Sequence, residues 1–479
     1  MCLLNLSTCV LLPQIFLLTA TALTLVIGLC CQRHQATVSY YLAQLTLLGT
    51  LYLLFKQHDL ANQLALHGLF VFDPLTRIPS ILIIVLALFA FSYARVFLTE
   101  HKALSLDFYL LALLAVLGML VMCSSHNLIP LYLGLELLSL PLYALVAIKQ
   151  NGTHAEAAIK YFAMGAIASA ILLYGFSLLY GLCGSLDLPV ISTVLTHIPA
   201  DHRLLGVLSL VFIISGLAFK FSAAPFHLWA PDVYQGAPVA ATLFIGTAPK
   251  IAVLIMSIRI FADSIGPLFQ HWQSLWIVIA ILSMGLGNIA AIIQTNIRRL
   301  LAYSAIAHMG YMLLGLIAGT KVGYSACLFY IFSYGIMTLS AFGTLMALSN
   351  EGFEVQTLND LRGLNWRNPW LAFMMLIVMF SMAGIPPSVG FFAKIGVLEA
   401  IMGIHQTWLA VVALLFAIIG AYYYLRVVKA MYFESMEDST PIMTTTRLKV
   451  VTSINGLVIL LLGIFPSQLI EFCRSAFGL

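Results

Sequence analysis

Fourteen apolar blocks follow one another along this chain, and that repetition leaves little freedom in how it can fold. They cover approximately residues 10–31, 37–55, 77–98, 105–124, 127–148, 155–183, 204–224, 239–262, 272–295, 299–319, 322–348, 368–403, 407–433 and 449–472. A helix of about 20 apolar residues crosses the ~30 Å hydrocarbon core of a bilayer. Inside that core every backbone N–H and C=O needs an internal partner, which restricts spanning segments to helices and closed barrels. A barrel would show short alternating segments, and these blocks are long and continuous. The chain therefore reads as an all-α polytopic membrane protein of about 14 transmembrane helices, a single membrane domain over residues 1–479. Charged residues make up only 8% of it, against about a quarter in a soluble domain. The first block lacks a basic leader and a clear cleavage site, so it reads as a retained span.

Basic residues set the expected orientation. Arg33, Arg95, Lys102, Lys149, Arg298, Arg299, Arg362, Arg367, Arg426, Lys429, Arg447 and Lys449 flank the spans on one side. Only Lys56, Arg77, Arg203, Arg259, Lys321 and Arg474 flank the other, which holds both termini. The richer side is expected to be cytoplasmic and both termini periplasmic. The loops at about 184–203 and 349–367 are the longest, and a third around 434–448 is acidic and then basic. The net charge of +4 is spread over loops, which makes nucleic acid an unsuitable partner.

Five ionisable side chains fall deep inside blocks: Glu136 in "LYLGLELLSLPLY", Lys220 in "GLAFKFSAAPFHLW", Lys250 in "APKIAVLI", His308 in "SAIAHMGYMLL" and Lys394 in "SVGFFAKIGVL". Each costs several kcal/mol near a bilayer midplane unless it faces protein or water. One alone is compatible with a snorkelling side chain. Five on different helices at similar depth suit a lateral chain of proton-exchanging groups. Burial weakens a lysine's hold on its proton and a nearby carboxylate restores it, so a lysine whose acidic partner comes and goes can take up and release protons. Glu136 is the only deep acid and is expected to partner Lys220. Lys250 and His308 would relay between the halves, and Lys394 would be a terminal station. Lys160, near Glu156 at the start of the sixth block, reads equally as an interfacial anchor or a proton entrance.

The seventh block runs into Pro225, and the twelfth carries Pro386-Pro387 and Gly390. Breaks within a membrane are tolerated where the backbone is buried in protein or lines a wet cavity. Two broken spans, one per half and each with a lysine, suggest two inverted five-helix repeats over 105–262 and 272–433 with helices 7 and 12 broken. Packing kinks are the alternative, and no residue-level repeat is evident. "WAPDVYQGAPVAAT" reads as a turn and helix start, with Pro238 at the first helical position and Asp232 and Gln235 capping free amides. Arg259, Arg95 and Glu399 lie near span ends and receive no role.

Redox and nucleotide chemistry find no residues. The eight cysteines are scattered without a CxxC pair, His308 is the one clearly deep histidine, and there is no GxGxxG or P-loop.

Together, "GLAFKFSAAPFHLWAPDVYQGAP", "APKIAVLI", "QTNIRRLLAYSAIAHMGYMLLG" and "AGIPPSVGFFAKIGVLEA" resemble the antiporter-like membrane subunits of respiratory complex I, a family that includes Mrp-type cation/proton antiporters and membrane-bound hydrogenases. The resemblance is strong over about 105–430 and greatest to its subunit N branch. The "LGLELLSLPLYALVA" and "EAAIKYF" blocks read that way. Lys394 stands where subunit M typically has glutamate, and the chain ends without the lateral helix typical of subunit L. The resemblance implies a fifth/seventh-helix ion pair of Glu136 and Lys220, a central eighth-helix lysine at Lys250 and a twelfth-helix lysine at Lys394. His308 matches a tenth-helix histidine and Lys160 a sixth-helix lysine. It also implies a proton-translocating subunit of a bacterial inner-membrane NADH:quinone oxidoreductase, beside M-like and K-like subunits. No cofactor is expected in this chain; FMN, iron–sulfur clusters and quinone binding would belong to partner subunits. A stand-alone Mrp-type antiporter subunit and a non-pumping structural spacer are the competing readings.

Overall fold

The computed structural model describes residues 9–57, 62–100, 105–149, 152–349, 354–434 and 444–479. Lys102 and the acidic run Glu437-Asp438 lie outside the described residues. Thirteen helices among the described residues are long and apolar enough to cross a membrane. Two half-length helices in series supply the remaining span.

In chain order the helices are α1 (Leu12–Cys30), α2 (Gln35–Lys56), α3 (Pro74–Glu100), α4 (Ser105–Ser124), α5 (Leu128–Ala147) and α6 (Gly152–Cys183). Then come α7 (Leu188–Thr196), α8 (Ala200–Phe221), α9 (Trp229–Gly236), α10 (Val239–Ile245), α11 (Ala248–Ile258), α12 (Phe269–Ile292), α13 (Ile297–Ile317) and α14 (Lys321–Leu348). The last are α15 (Pro369–Ala383), α16 (Val389–Gly403), α17 (Thr407–Phe433), α18 (Thr446–Ile464) and α19 (Pro466–Ser475). A small antiparallel hairpin, β1 (Gln63–Ala65) with β2 (Phe70–Phe72), joins α2 to α3 in the register Leu64 opposite Val71.

The core is a row of helices screened from lipid. The segment Val239–Ser264, α13 and α14 are buried almost throughout, whereas only about a third of α1, α2, α17 and α18 is buried. In a membrane the exposed leucines contact lipid tails, so this inside-out pattern costs nothing. Close approach of backbones holds α4 to α5. A Cβ on Gly118 would stand 2.5 Å from the Leu138 amide nitrogen and 2.7 Å from the Gly134 carbonyl oxygen.

Similar local wiring occurs in both halves. Asn127 and Asn296 cap α5 and α13 through their side-chain oxygens. Leu128 donates to the Leu186 carbonyl and Leu188 to that of His126; Ile297 donates to the Gln356 carbonyl and Leu358 to that of Thr295.

Four expectations need correction. The eighth block is also interrupted: α10 stops at Ile245, α11 begins at Ala248, and a wide turn over Arg259–Ser264 follows. Pro238 caps the helix that starts at Val239 and so precedes its first helical position. The loop at 184–203 contains α7. The last block is not one span, because Pro466 lacks the N–H that would continue α18 and instead starts α19.

Candidate functional site

The two expected breaks end in the same way. α8 closes on Ser222 in the left-handed region, φ 62°, and α15 on Gly384, φ 87°. In each the cap N–H returns to the preceding turn, and the next residue, Ala223 or Ile385, donates to the carbonyl of Ala218 or Phe380. This left-handed cap satisfies carbonyls that a helix end would leave free. A proline follows at Pro225 and at Pro386-Pro387, so neither helix continues. Gly390 lets α16 start against the end of α15, because a Cβ there would overlap the Ser381 carbonyl.

Lys220 lies in the last turn of α8. Its Nζ donates to Ser139 Oγ at 2.8 Å and lies 3.5 Å from Tyr143 Oη. Ser139 and Tyr143 are four residues apart and share a face of α5. Glu136 precedes Ser139 by about one turn, and no Glu136–Lys220 ion pair forms within 4 Å; the carboxylate acts on the ammonium across space. The expected direct ion pair does not form, and the Lys220 ammonium hydrogen-bonds Ser139 instead. Glu136 Oε1 is buried without a hydrogen-bond partner. Its helix face also carries the exposed Leu133 (59%) and Leu140 (54%).

Lys250 is 3% exposed and sits in the first turn of α11, where the positive end of the helix dipole does not offset its charge. No protein group hydrogen-bonds its Nζ, which lies 4.8 Å from the centroid of the Tyr334 ring. Tyr334 stands 5.1 Å, centroid to centroid, from the imidazole of His308. His308 Nδ1 pairs with Tyr330 Oη at 2.7 Å and Nε2 with Tyr424 Oη at 3.0 Å, and Tyr424 Oη continues to Ser304 Oγ at 2.5 Å. A neutral imidazole donates at one nitrogen and accepts at the other, so this ring can accept a proton on one side and release one on the other.

One turn along α13, Tyr311 presents its ring to Lys394 Nζ at 5.2 Å. Its hydroxyl accepts from Asn288 Nδ2 at 3.2 Å. Lys394 Nζ donates to the Met382 and Ala383 carbonyls at 3.1 and 2.7 Å. These are terminal carbonyls of α15, where helix geometry favours a cation. The contacts form two groups: Lys220 with Ser139 and Tyr143, one turn from Glu136, and Lys250, Tyr334, His308, Tyr311 and Lys394 joined by ring contacts.

Lys160 stands apart from both groups. It is 41% exposed and pairs with Glu156 at 2.8 Å and Asp232 at 3.2 Å. Asp232 also binds Arg299 at 2.7 Å, and Gln235 Oε1 accepts from the same guanidinium at 3.2 Å. Asp232 and Gln235 thus bind cations rather than capping amides, and "WAPDVYQG" is a helix that presents them to α6 and α13. Arg259, expected near a span end, is buried. It grips Asp73 through two hydrogen bonds of 2.8 and 2.7 Å and also donates to Thr76 and the Cys123 carbonyl. Burial pushes the Asp73 carboxyl up, but the Arg259 guanidinium and the Thr76 hydrogen bonds outweigh it and hold it below the usual range.

Sequence reasoning missed the hydroxyl lining: Ser139, Tyr143, Tyr311, Tyr330, Tyr334 and Tyr424. A spacing signal was available. Ser139 and Tyr143 recur at plus three and plus seven from Glu136, Tyr311 follows His308 by three, and Tyr330 and Tyr334 are four apart, all on shared helix faces.

The profile of the NADH:quinone oxidoreductase/Mrp antiporter transmembrane family matches residues 125–420. A relative named NADH-quinone oxidoreductase subunit N from Coxiella burnetii is 49% identical over 472 residues, covering 97% of this chain and 98% of the relative. One of the same name from Nitrosomonas europaea is 48% identical, covering 97% and 96%. A chain of respiratory complex I from Thermus thermophilus superposes with a TM-score of 0.80 at 30% identity, covering 96% of this chain and 98% of that one. A chain of the Mrp complex from Dietzia sp. shares the fold, with a TM-score of 0.84 at 21% identity over 99% and 97%. By profile, identity and coverage together, this chain belongs to the NADH:quinone oxidoreductase/Mrp antiporter transmembrane family, on its subunit N branch.

Proposed function

We propose that this chain is a proton-translocating membrane subunit of a bacterial inner-membrane NADH:quinone oxidoreductase, and that protons move along the axis from Glu136 and Lys220 through Lys250 and His308 to Lys394. What carries the reading is the central group Lys250, Tyr334 and His308, on helices buried almost throughout, with a lysine at each broken helix beside it. An ammonium that can lose its proton, next to hydroxyls and an imidazole that can pass one on, needs no metal or redox group in this chain.

In this scheme the flanks and the centre differ by design. Lys220 and Lys394 are held at helix C-terminal ends by oxygen acceptors. Lys250 has only the face of Tyr334, so its charge depends on the neighbouring stations. Loss of a proton at one flank therefore changes the repulsion felt at the centre and drives the next transfer. Lys160, with Asp232 and Arg299, is the proton entrance at the basic side. The two units, 105–262 and 272–433, are inverted repeats, each supplying one broken helix. Both termini face the periplasm. The free energy arrives from quinone reduction in partner subunits that hold FMN and iron–sulfur clusters, through M-like and K-like neighbours.

Identity of 49% to a subunit N relative favours this over a stand-alone Mrp-type antiporter, where only the fold is shared. The test is Lys220→Ala in the assembled enzyme. Proton pumping and coupled quinone reduction are expected to fall with assembly intact. Undiminished pumping would refute the station assignment and leave the structural-spacer reading.

A further inference from the structure

Away from the axis, Arg95, Val96, Thr445, Thr446 and Arg447 line an open cavity of about 350 Å³. Its walls are the end of α3 and the start of α18, so it lies at the membrane–water boundary. Arg95 and Arg447 both line it, and among the described residues no acid does. Arg95 is aligned by aromatic faces, with its Cζ 4.2 Å from the Tyr40 centroid and 4.9 Å from that of Tyr41. Both tyrosine hydroxyls also accept hydrogen bonds from the guanidinium. These contacts orient it without neutralising it, and its five N–H donors exceed what two such bonds use.

The surroundings extend the same chemistry. α18 starts at Thr446, and its cap residue Thr445 makes no side-chain cap bond. Its first turn carries no acid. Below the cavity two exposed apolar lanes run into the membrane. One, on α2, begins at the tyrosine that Arg95 touches and passes Leu45, Leu48 and Tyr52. The other, on α18, begins one turn after Arg447 and passes Val450, Ile454, Leu457 and Leu461. A charged pocket at the interface above apolar lanes has the polarity profile of a phospholipid.

We infer that this cavity is a binding site for the phosphate headgroup of an anionic phospholipid, with Arg95 and Arg447 as the phosphate ligands and the α2 and α18 lanes as the seats of its acyl chains. The arginine pair disfavours a zwitterionic choline headgroup, whose ammonium would meet two like charges. Each interfacial arginine contributes about 1 kcal/mol toward an anionic lipid, roughly a five-fold preference.

The test uses the full chain in nanodiscs of phosphatidylcholine with a minor fraction of phosphatidylglycerol, and measures by native mass spectrometry which lipid stays bound. Wild type is expected to retain phosphatidylglycerol preferentially. Arg447→Gln, at an exposed position that does not threaten folding, should reduce that preference about five-fold, and Arg95→Gln/Arg447→Gln about 25-fold. Inorganic phosphate as a competitor separates the two sources of the group. A lipid site keeps phosphatidylglycerol at phosphate concentrations that saturate a free-phosphate site. Equal retention of both lipids by wild type, an unchanged preference in Arg447→Gln, or displacement by inorganic phosphate would each overturn the proposal.

Discussion

Replacing Lys250 with methionine should make the protein more stable while stopping its transport. An ammonium at the middle of a spanning helix costs about 2.5–3.5 kcal/mol on insertion scales. Lys250 is 3% exposed, and no protein group hydrogen-bonds it. Its visible compensation is the Tyr334 ring at 4.8 Å, and a desolvated cation–π contact returns about 2 kcal/mol. Methionine has similar length, fills the same space and packs against the same ring, which adds about 1 kcal/mol. Lys250→Met should therefore raise unfolding free energy by about 1–3 kcal/mol, measured by titrating the purified full chain from mild detergent into dodecyl sulfate. Lys394→Met is the internal control. Its ammonium donates to two carbonyls, so its loss should destabilise by about 1–3 kcal/mol. A Lys250→Met protein less stable than wild type by more than ~1 kcal/mol would mean that the central charge is well compensated, and the division between central and flanking stations would fail.

Other consequences can be checked separately. Arg259→Met leaves the partly buried Asp73 without its ion-pair partner, and should cost up to about 3 kcal/mol in the same titration. Because the folded Asp73 carboxyl titrates below its ordinary 3.8, the pair's contribution should be fully present at neutral pH. It should fade as pH falls through the folded value, and an acid titration that is unchanged in Asp73→Asn would contradict this. Ser139→Ala removes the shortest bond to Lys220, worth about 1.5–3 kcal/mol to a charged group, and should slow proton uptake by inverted vesicles without loss of the subunit. Gly118→Val places side-chain atoms against the α5 backbone and should abolish stable insertion, whereas Gly181→Ala, with nothing near its added Cβ, should be silent on immunoblots of membranes.

How much of this could be read in advance depends on how local each signal is. A spanning helix is announced by its own 20 residues, so the blocks and the helices nearly coincide. A proline break is equally local, which is why α8 and α15 end where Pro225 and Pro386 foretold. The interruption between α10 and α11 has weaker markers, a Gly-Thr pair with Pro249 already inside the next helix. Partner choice is not local at all. Arg259 ends an apolar block and looks like a flank, yet Asp73 is 186 residues away. Ser139 looks like an ordinary helical serine bonding back to Leu135, which it also does at 2.7 Å. Its second role depends on which face α8 turns toward α5, and α8 is seated by close packing of Gly216 against Ala168 and Leu172 of α6. Asp232 read as a cap because its cationic partners sit on α6 and α13.

The central claim is that charge and proton occupancy at Lys250 must change during turnover. Arginine in its place keeps a positive charge at every accessible pH and cannot hand on a proton. The decisive measurement is the number of protons moved per NADH oxidised by assembled Lys250→Arg enzyme in sealed proteoliposomes, against wild type. A relay through Lys250 requires that number to fall, or oxidation to stop along with pumping. A wild-type ratio at a wild-type rate would show that protons do not pass through this lysine.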